Sequence, residues 1–167
     1  MASHKHQTPI SPDLPSQSDI DAAFEAACAR SGLAATEQRR LIYKVLAESR
    51  EHPTAEAVFL EIRSQAPRLS LATVYRNLRL FADAGIVDAV ATGDSFARFD
   101  GNTEPHHHLI CRRCGSVADY YAPRIEDFTP SKAALDGFEV QSMKMNFFGV
   151  CASCSDKRTK NTARREK

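Results

Sequence analysis

Two Cys-x-x-Cys pairs, Cys111/Cys114 and Cys151/Cys154, are separated by 36 intervening residues, and they constrain this chain more than any other feature. A two-residue spacer lets both thiolates of a pair reach one ion, and two pairs complete the tetrahedron of a structural zinc. The second half is therefore predicted to fold around a closed four-thiolate site that stabilises and does not catalyse. No thioredoxin-like βαβ pattern surrounds either pair, which sets aside a redox role. The opening residues, MASHKHQTPISPDLPSQS, lack the apolar core of a secretory signal. No apolar run approaches the ~18 residues that would cross a bilayer. A disulfide framework belongs to secreted chains, so the expected setting is a reducing cytoplasm with no membrane partner.

Residues 1–17 carry three prolines and no apolar periodicity and are expected to form a solvated, disordered arm. Helical spacing begins with Ile20, Phe24, Ala27 and Cys28, with Ser18 and Asp21 as the capping pair and Gly32 as the stop. Thr36 is positioned to cap a second helix with Leu41, Ile42, Val45 and Leu46 as its buried stripe. Thr54 is positioned to cap a third, with Ala57, Val58, Leu60 and Ile62. Ser70 then caps a fourth, in which Leu71, Val74, Leu78 and Phe81 face inward before Gly85 ends it. Its opposite side offers Thr73, Tyr75, Arg76 and Asn77 to DNA, while Arg39 and Arg40 lie on the second helix. With 22 Lys+Arg against 21 Asp+Glu, any nucleic-acid binding must come from such local placement of charge, through few phosphate contacts that salt weakens.

After Gly85 the period changes. IVDAVAT and SFARFD flank Gly93-Asp94 and read as a two-stranded hairpin. Helices followed by a hairpin are the order of a winged helix-turn-helix module, whose last helix enters the major groove. Beyond it the chain reads as strand HHHLIC, knuckle CRRC, strand SVADYY, a short helix near Ser131–Asp136, and strand FEVQSMKMNFFGV leading to CASC. The fold class is thus α+β, divided at 18–100 and 101–155. The remaining residues, 156–167, hold six basic and two acidic residues and are expected to be a disordered basic tail.

Strand alternation sends His106 and His108 to one face and His107 and Cys111 to the other. One face then holds sulfur, and the other can hold imidazole nitrogen completed by carboxylates such as Asp100 and Asp119. Mixed nitrogen and oxygen donors suit Fe(II), Mn(II) or Zn(II), and such a site exchanges its ion more readily than a thiolate cage.

The segments HPTAEAV (52–58), LATVYRNL (71–78), RFD (98–100), HHHLICRRCG (106–115) and GVCASC (149–154) together resemble the ferric uptake regulator family. The resemblance runs from about residue 20 to 157. Asp100, Asp119 and both Cys pairs are most similar to its peroxide-responsive (PerR) branch, whereas iron-responsive members more often carry glutamate and a further HxD acid here. The resemblance implies structural zinc on Cys111, Cys114, Cys151 and Cys154. It also implies a regulatory Fe(II) or Mn(II), with Zn(II) possible in vitro, on His52, Asp100, His106, His108 and Asp119. It implies an N-terminal winged helix-turn-helix domain whose Arg39, Ser70, Thr73, Tyr75, Arg76 and Asn77 meet DNA. The second half would be an α/β dimerisation domain, and the homodimer would bind a pseudo-palindromic operator without any small-molecule substrate. In the peroxide-responsive branch a ligating histidine is oxidised, which points here to His52 and His106.

Three alternatives remain on the sequence alone. An iron- or zinc-uptake regulator of the same family would differ in its metal and in indifference to peroxide; no cysteine between Cys28 and Cys111 supplies the hinge thiol that zinc sensors often use. Ser142 and Met143 also stand where relatives often place histidine. A metalloenzyme would need a general base beside metal-bound water and a substrate pocket, and no HExxH-type signature supplies them. A zinc-stabilised interaction module would leave His106 and His108 without consequence for DNA binding.

Overall fold

The structure, a computed structural model, describes residues 15–92, 97–121, 135–140 and 143–155. Four helices come first: α1 (Gln17–Ser31), α2 (Glu37–Glu48), α3 (Ala55–Ile62) and α4 (Leu71–Asp83). Thr36, Thr54 and Ser70 cap α2, α3 and α4 as their sequences predict, each side-chain oxygen accepting the backbone N–H three residues on. The first cap differs. Ser16, not Ser18, closes a capping box with Asp19, so α1 starts at Gln17, inside the stretch expected to be disordered. Both serines begin an S-x-x-D pattern, but Asp21 is engaged by Gln17 and by Arg40 at 3.0 Å, leaving the box to Asp19. Gly32 and Gly85 end α1 and α4 in the left-handed region, at φ 69 and 65, where a side chain would be strained.

The helices enclose the main core. Phe24 and Cys28 of α1, Ile42, Tyr43 and Leu46 of α2, and Val74, Leu78 and Phe81 of α4 are buried together with Phe99. In α3 the buried residues are Ala55, Val58 and Ile62, while Ala57 and Leu60 face solvent, Leu60 being 56% exposed. The expected stripe put Leu60 inside; it lies two residues from Val58 and two from Ile62, about 200° away around the helix from each.

Strands β1 (Asp88–Val90) and β2 (Arg98–Asp100) pair antiparallel and set Asp88 opposite Asp100. The Gly93-Asp94 turn between them lies outside the described residues. A second sheet has the order β4-β3-β5, from β3 (His107–Cys111), β4 (Val117–Tyr120) and β5 (Asn146–Gly149). β4 is antiparallel and β5 parallel to the central β3. His106 precedes β3 rather than belonging to it, and among the described residues the long strand expected to reach back to Phe138 pairs only over Asn146–Gly149. Residues 131–134 of the expected short helix, and the tail from 156, are outside the described residues. Val90 of the hairpin buries against Ile110 and Val117 of the second sheet in a small core of their own, which joins the two halves.

Candidate metal centre

β2 also pairs beyond the hairpin. An isolated bridge sets Thr54 against Arg98, and Phe99 donates its N–H to the Pro53 carbonyl at 3.1 Å. The Arg98 guanidinium donates to the His52 carbonyl at 3.1 Å. His52 itself takes φ 48, a left-handed conformation that a non-glycine residue adopts only when its surroundings hold it there. These contacts carry the His52 imidazole to the end of β2, next to Asp100. In the second sheet the register sets Asp119 directly opposite His108, so both side chains rise from the same face.

One donor atom from each of His52, Asp100, His106, His108 and Asp119 lies within 4.8 Å of all the others. His106 Nε2 is 2.8 Å from Asp100 Oδ2 and 3.0 Å from His108 Nε2, and His52 Nε2 is 2.9 Å from Asp119 Oδ1. The three imidazoles and Asp100 are buried. His106 Nδ1 stands 2.7 Å from the Glu104 carbonyl oxygen, which can only accept, so Nδ1 carries a proton and Nε2 is the nitrogen turned inward, able to give its lone pair to a cation. Lone pairs and two carboxylates aimed at one point repel unless a positive charge sits among them. Burial opposes charge on His52, but the facing carboxylates of Asp100 and Asp119 outweigh it and lift its pKa to about 9. Asp100, despite its burial, is held well below the usual carboxylate range by His106, His108 and His52. Although 2.9 Å apart, His52 Nε2 and Asp119 Oδ1 are not aligned for a hydrogen bond, and neither has another partner among the described residues. A divalent cation satisfies every one of these groups at once, and the donor set suits Fe(II), Mn(II) or Zn(II).

Two residues not singled out in the sequence tie the carboxylates from behind. Asn102 donates its backbone N–H to Asp100 Oδ1 at 2.8 Å and its side-chain N–H to the Tyr121 hydroxyl at 2.8 Å. Tyr121 in turn donates to Asp119 Oδ2 at 3.3 Å and packs its ring against that of His106. The outer oxygen of each carboxylate is thereby occupied and the inner one left toward the imidazoles. Their spacing was the available signal: Tyr121 is two residues from Asp119 and Asn102 two from Asp100, as Arg98 is two from Asp100 on the other side.

The four cysteines form the second cluster. β3 and β5 run in register with Cys111 opposite Gly149, which brings both knuckles to one end of the sheet. Cys114 and Cys151 sulfurs are 3.7 Å apart, and all five cysteines of the chain are free thiols. Backbone N–H groups of Cys151, Arg113 and Cys114 lower the Cys111 thiol to about 6, while burial and the three surrounding sulfurs push Cys154 up to about 12. A cage that favours one thiolate and resists the next fits a zinc ion, which neutralises them together. His107 lies apart from both clusters: buried, it accepts the Met145 N–H at Nδ1, 3.3 Å away, and burial holds it below the ordinary imidazole range.

Residues 30–148 match the Ferric uptake regulator family. The chain belongs to this family. It is 38% identical over 132 residues to the peroxide-responsive repressor PerR of Staphylococcus aureus (strain Mu50), covering 79% of this chain and 89% of that one. Among solved structures, the ferric uptake regulator of Helicobacter pylori, described with three functional metal binding sites, superimposes with a TM-score of 0.69 at 25% identity. The alignment covers 87% of this chain and 97% of that one. A zinc-bound manganese uptake regulator superimposes with a TM-score of 0.59 at 32% identity, over 77% and 98% of the two chains. As a ferric uptake regulator family member the chain is a metal-responsive regulator and not an enzyme.

In this regulator the six residues expected at DNA divide into two groups. Arg76 and Ser70 are exposed on α4, Thr73 and Tyr75 are half-buried, and the Ser70 and Thr73 hydroxyls are 2.9 Å apart in the cap. Asn77, placed on the outward side by its sequence, is 8% exposed. Its amide donates to the Thr73 carbonyl and accepts from Arg39 Nε at 3.0 Å, and Arg39 donates a second time to the Ala34 carbonyl. Arg39 and Asn77 therefore brace α2 against α4. No described helix is long and apolar enough to cross a membrane.

Proposed function

We propose that this regulator is a peroxide-responsive, metal-dependent repressor. In this reading residues 18–100 form a winged helix-turn-helix DNA-binding domain and residues 101–155 a dimerisation and metal-binding domain. Zinc on Cys111, Cys114, Cys151 and Cys154 is structural, and Fe(II) or Mn(II) on His52, Asp100, His106, His108 and Asp119 is regulatory. The observation that carries the reading is the origin of those five donors. His52 and Asp100 come from the first domain and His106, His108 and Asp119 from the second, so holding one ion requires one particular arrangement of the two.

An ion bound there favours that arrangement only by as much as it binds it more tightly, and a hundredfold difference per subunit corresponds to about 2.7 kcal/mol. In a symmetric dimer the arrangement fixes two α4 helices at the spacing of successive major grooves, roughly 34 Å, and the operator is a pseudo-palindrome. Arg76, Tyr75, Thr73 and Ser70 are the α4 groups free to approach the duplex, with Arg39 and Asn77 holding α4 at its angle. An Fe(II) ion held by these five residues would supply the electrons that reduce peroxide beside the imidazoles. His106 and His52 stand at the centre as the residues to be oxidised, and a histidine so modified no longer holds the domains together. The 38% identity to the S. aureus peroxide-responsive repressor supports this choice over an iron- or manganese-uptake regulator.

The test is an operator-binding titration of zinc-loaded protein with Fe(II), Mn(II) and added Zn(II), repeated after a peroxide pulse with mass spectrometry. Expected are metal-dependent binding, its loss after peroxide in the Fe(II) form alone, and a gain of one oxygen at His52 or His106. Retained binding with unmodified histidines overturns the peroxide reading in favour of an uptake regulator.

A further inference from the structure

The three imidazoles of the regulatory centre are 2% exposed or less, so that side of it is closed to solvent. Asp119 is the most accessible of the five residues, its side chain being 14% exposed, although the oxygen that faces His52 is buried. Asp119 and Asp100 both line a cavity of about 180 Å³, together with the Asn102–Tyr121 pair. Ile20 and Ala23 of α1 and Leu46 of α2 supply apolar walls. At about 30 Å³ per water the space admits roughly six, enough for a divalent ion to arrive hydrated and shed water as the donors replace it. α1, which contributes Asp19, Ile20 and Ala23 to the lining, lies almost entirely before residue 30, where the match to the family begins.

We propose that this cavity is the access route to the regulatory centre, admitting a hydrated divalent cation and a small neutral peroxide, with the exposed Ala23 at its rim. The proposal rests on the functional reading above, since it needs an ion at those five donors. A route differs from a ligand in its kinetic signature. Narrowing it slows arrival and departure by one factor and leaves the equilibrium between them unchanged, because neither end state has been altered.

Ala23→Trp narrows the rim from an exposed position, so it overfills no core. Ala22→Trp adds the same bulk to the same exposed helix surface without lining the cavity. Binding is read in all three proteins alike, from the loss of the electron spin resonance signal of aqueous Mn(II), because the unsubstituted chain has no tryptophan. Full-length, zinc-loaded protein is mixed rapidly with Mn(II), and release is followed by chelator competition. Ala23→Trp is expected to slow association and dissociation of Mn(II) alike, by about tenfold, with Kd unchanged within about twofold, while Ala22→Trp matches the unsubstituted chain. Rates equal in the two variants, or a change in only one of the two rates, overturn the route. Failure of the unsubstituted protein to bind Mn(II) at all overturns the functional reading and the route with it, so the two failures are told apart.

Discussion

Four sulfurs and a set of imidazole and carboxylate donors converge at two points of one chain, and they get there differently. Each pair of cysteines is already together in the sequence, and one strand pairing, β3 with β5, completes the set. Cys114 is exposed and Cys151 half-buried. The other centre draws on the loop before α3, the end of β2, the approach to β3, β3 itself and β4, and it is buried except at Asp119. The thiolate cluster can therefore form within the second sheet alone. The imidazole and carboxylate cluster exists only while the hairpin and its 52–54 partner segment rest against that sheet. A site of the first kind holds a fold together, and one of the second kind reports how two parts of a fold are arranged.

The contrast is tested most severely by removing the sulfur site. Cys111→Ser, or exhaustive chelation, is expected to unfold the second sheet, because structural zinc contributes on the order of 10 kcal/mol at neutral pH. Circular dichroism and zinc content check this; a sheet that persists without zinc would make the cluster incidental. His108→Ala should act at the other centre only. One zinc per chain and the helical spectrum should remain, while Mn(II) affinity falls more than about 100-fold and metal-dependent operator binding disappears. A joint loss of zinc and Mn(II) would show that the two centres are not independent.

Gly101→Ala sharpens the comparison at the joint itself. A Cβ at Gly101 would stand 2.7 Å from the Leu46 carbonyl carbon and 2.9 Å from the Ala47 nitrogen, backbone atoms that cannot turn aside. We expect a loss of about 1–3 kcal/mol in thermal or urea unfolding. Because Asp100 precedes the clash, Mn(II) affinity should fall as well, with zinc retained. Unchanged Mn(II) affinity would mean that Asp100 is held by its imidazole partners and not by the close approach of Gly101 to α2.

Local chemistry explains what could be read from the residues in order. Caps at Thr36, Thr54 and Ser70, the stop at Gly85 and the Cys-x-x-Cys pairs act within a turn or two of themselves, and their outcome is visible in a short window. Ser16 and Ser18 offered the same pattern, and the choice fell to Arg40, a residue on another helix that claims Asp21. Asn77 reads as a polar residue on an outward face, yet Arg39 from α2 satisfies it inside. His52 entered only through family resemblance, since nothing near it in sequence implies that Arg98 and Asp100 will meet it in space. The histidine alternation held: His106 and His108 face the carboxylates, and His107 faces Met145.

The smallest expected effect concerns the residues behind the carboxylates. Tyr121→Phe removes the hydrogen bond to Asp119 Oδ2 but keeps the ring against His106. Freed of it, Asp119 can turn its second oxygen inward, and Mn(II) affinity should drop by about tenfold, as is usual when a partner of a metal ligand is removed. Asn102→Ala removes the side-chain N–H that holds the Tyr121 hydroxyl while leaving the backbone bond to Asp100 in place. If the two side chains act as one relay, the double variant should be no weaker than either single one, since a chain cut once is already cut. Additive losses would mean that the Asn102 side chain acts apart from Tyr121, through the amide oxygen that accepts the Glu104 N–H at 3.1 Å beside His106. Losses that reach the zinc site as well would mean that they serve the fold of the sheet and not the position of Asp119.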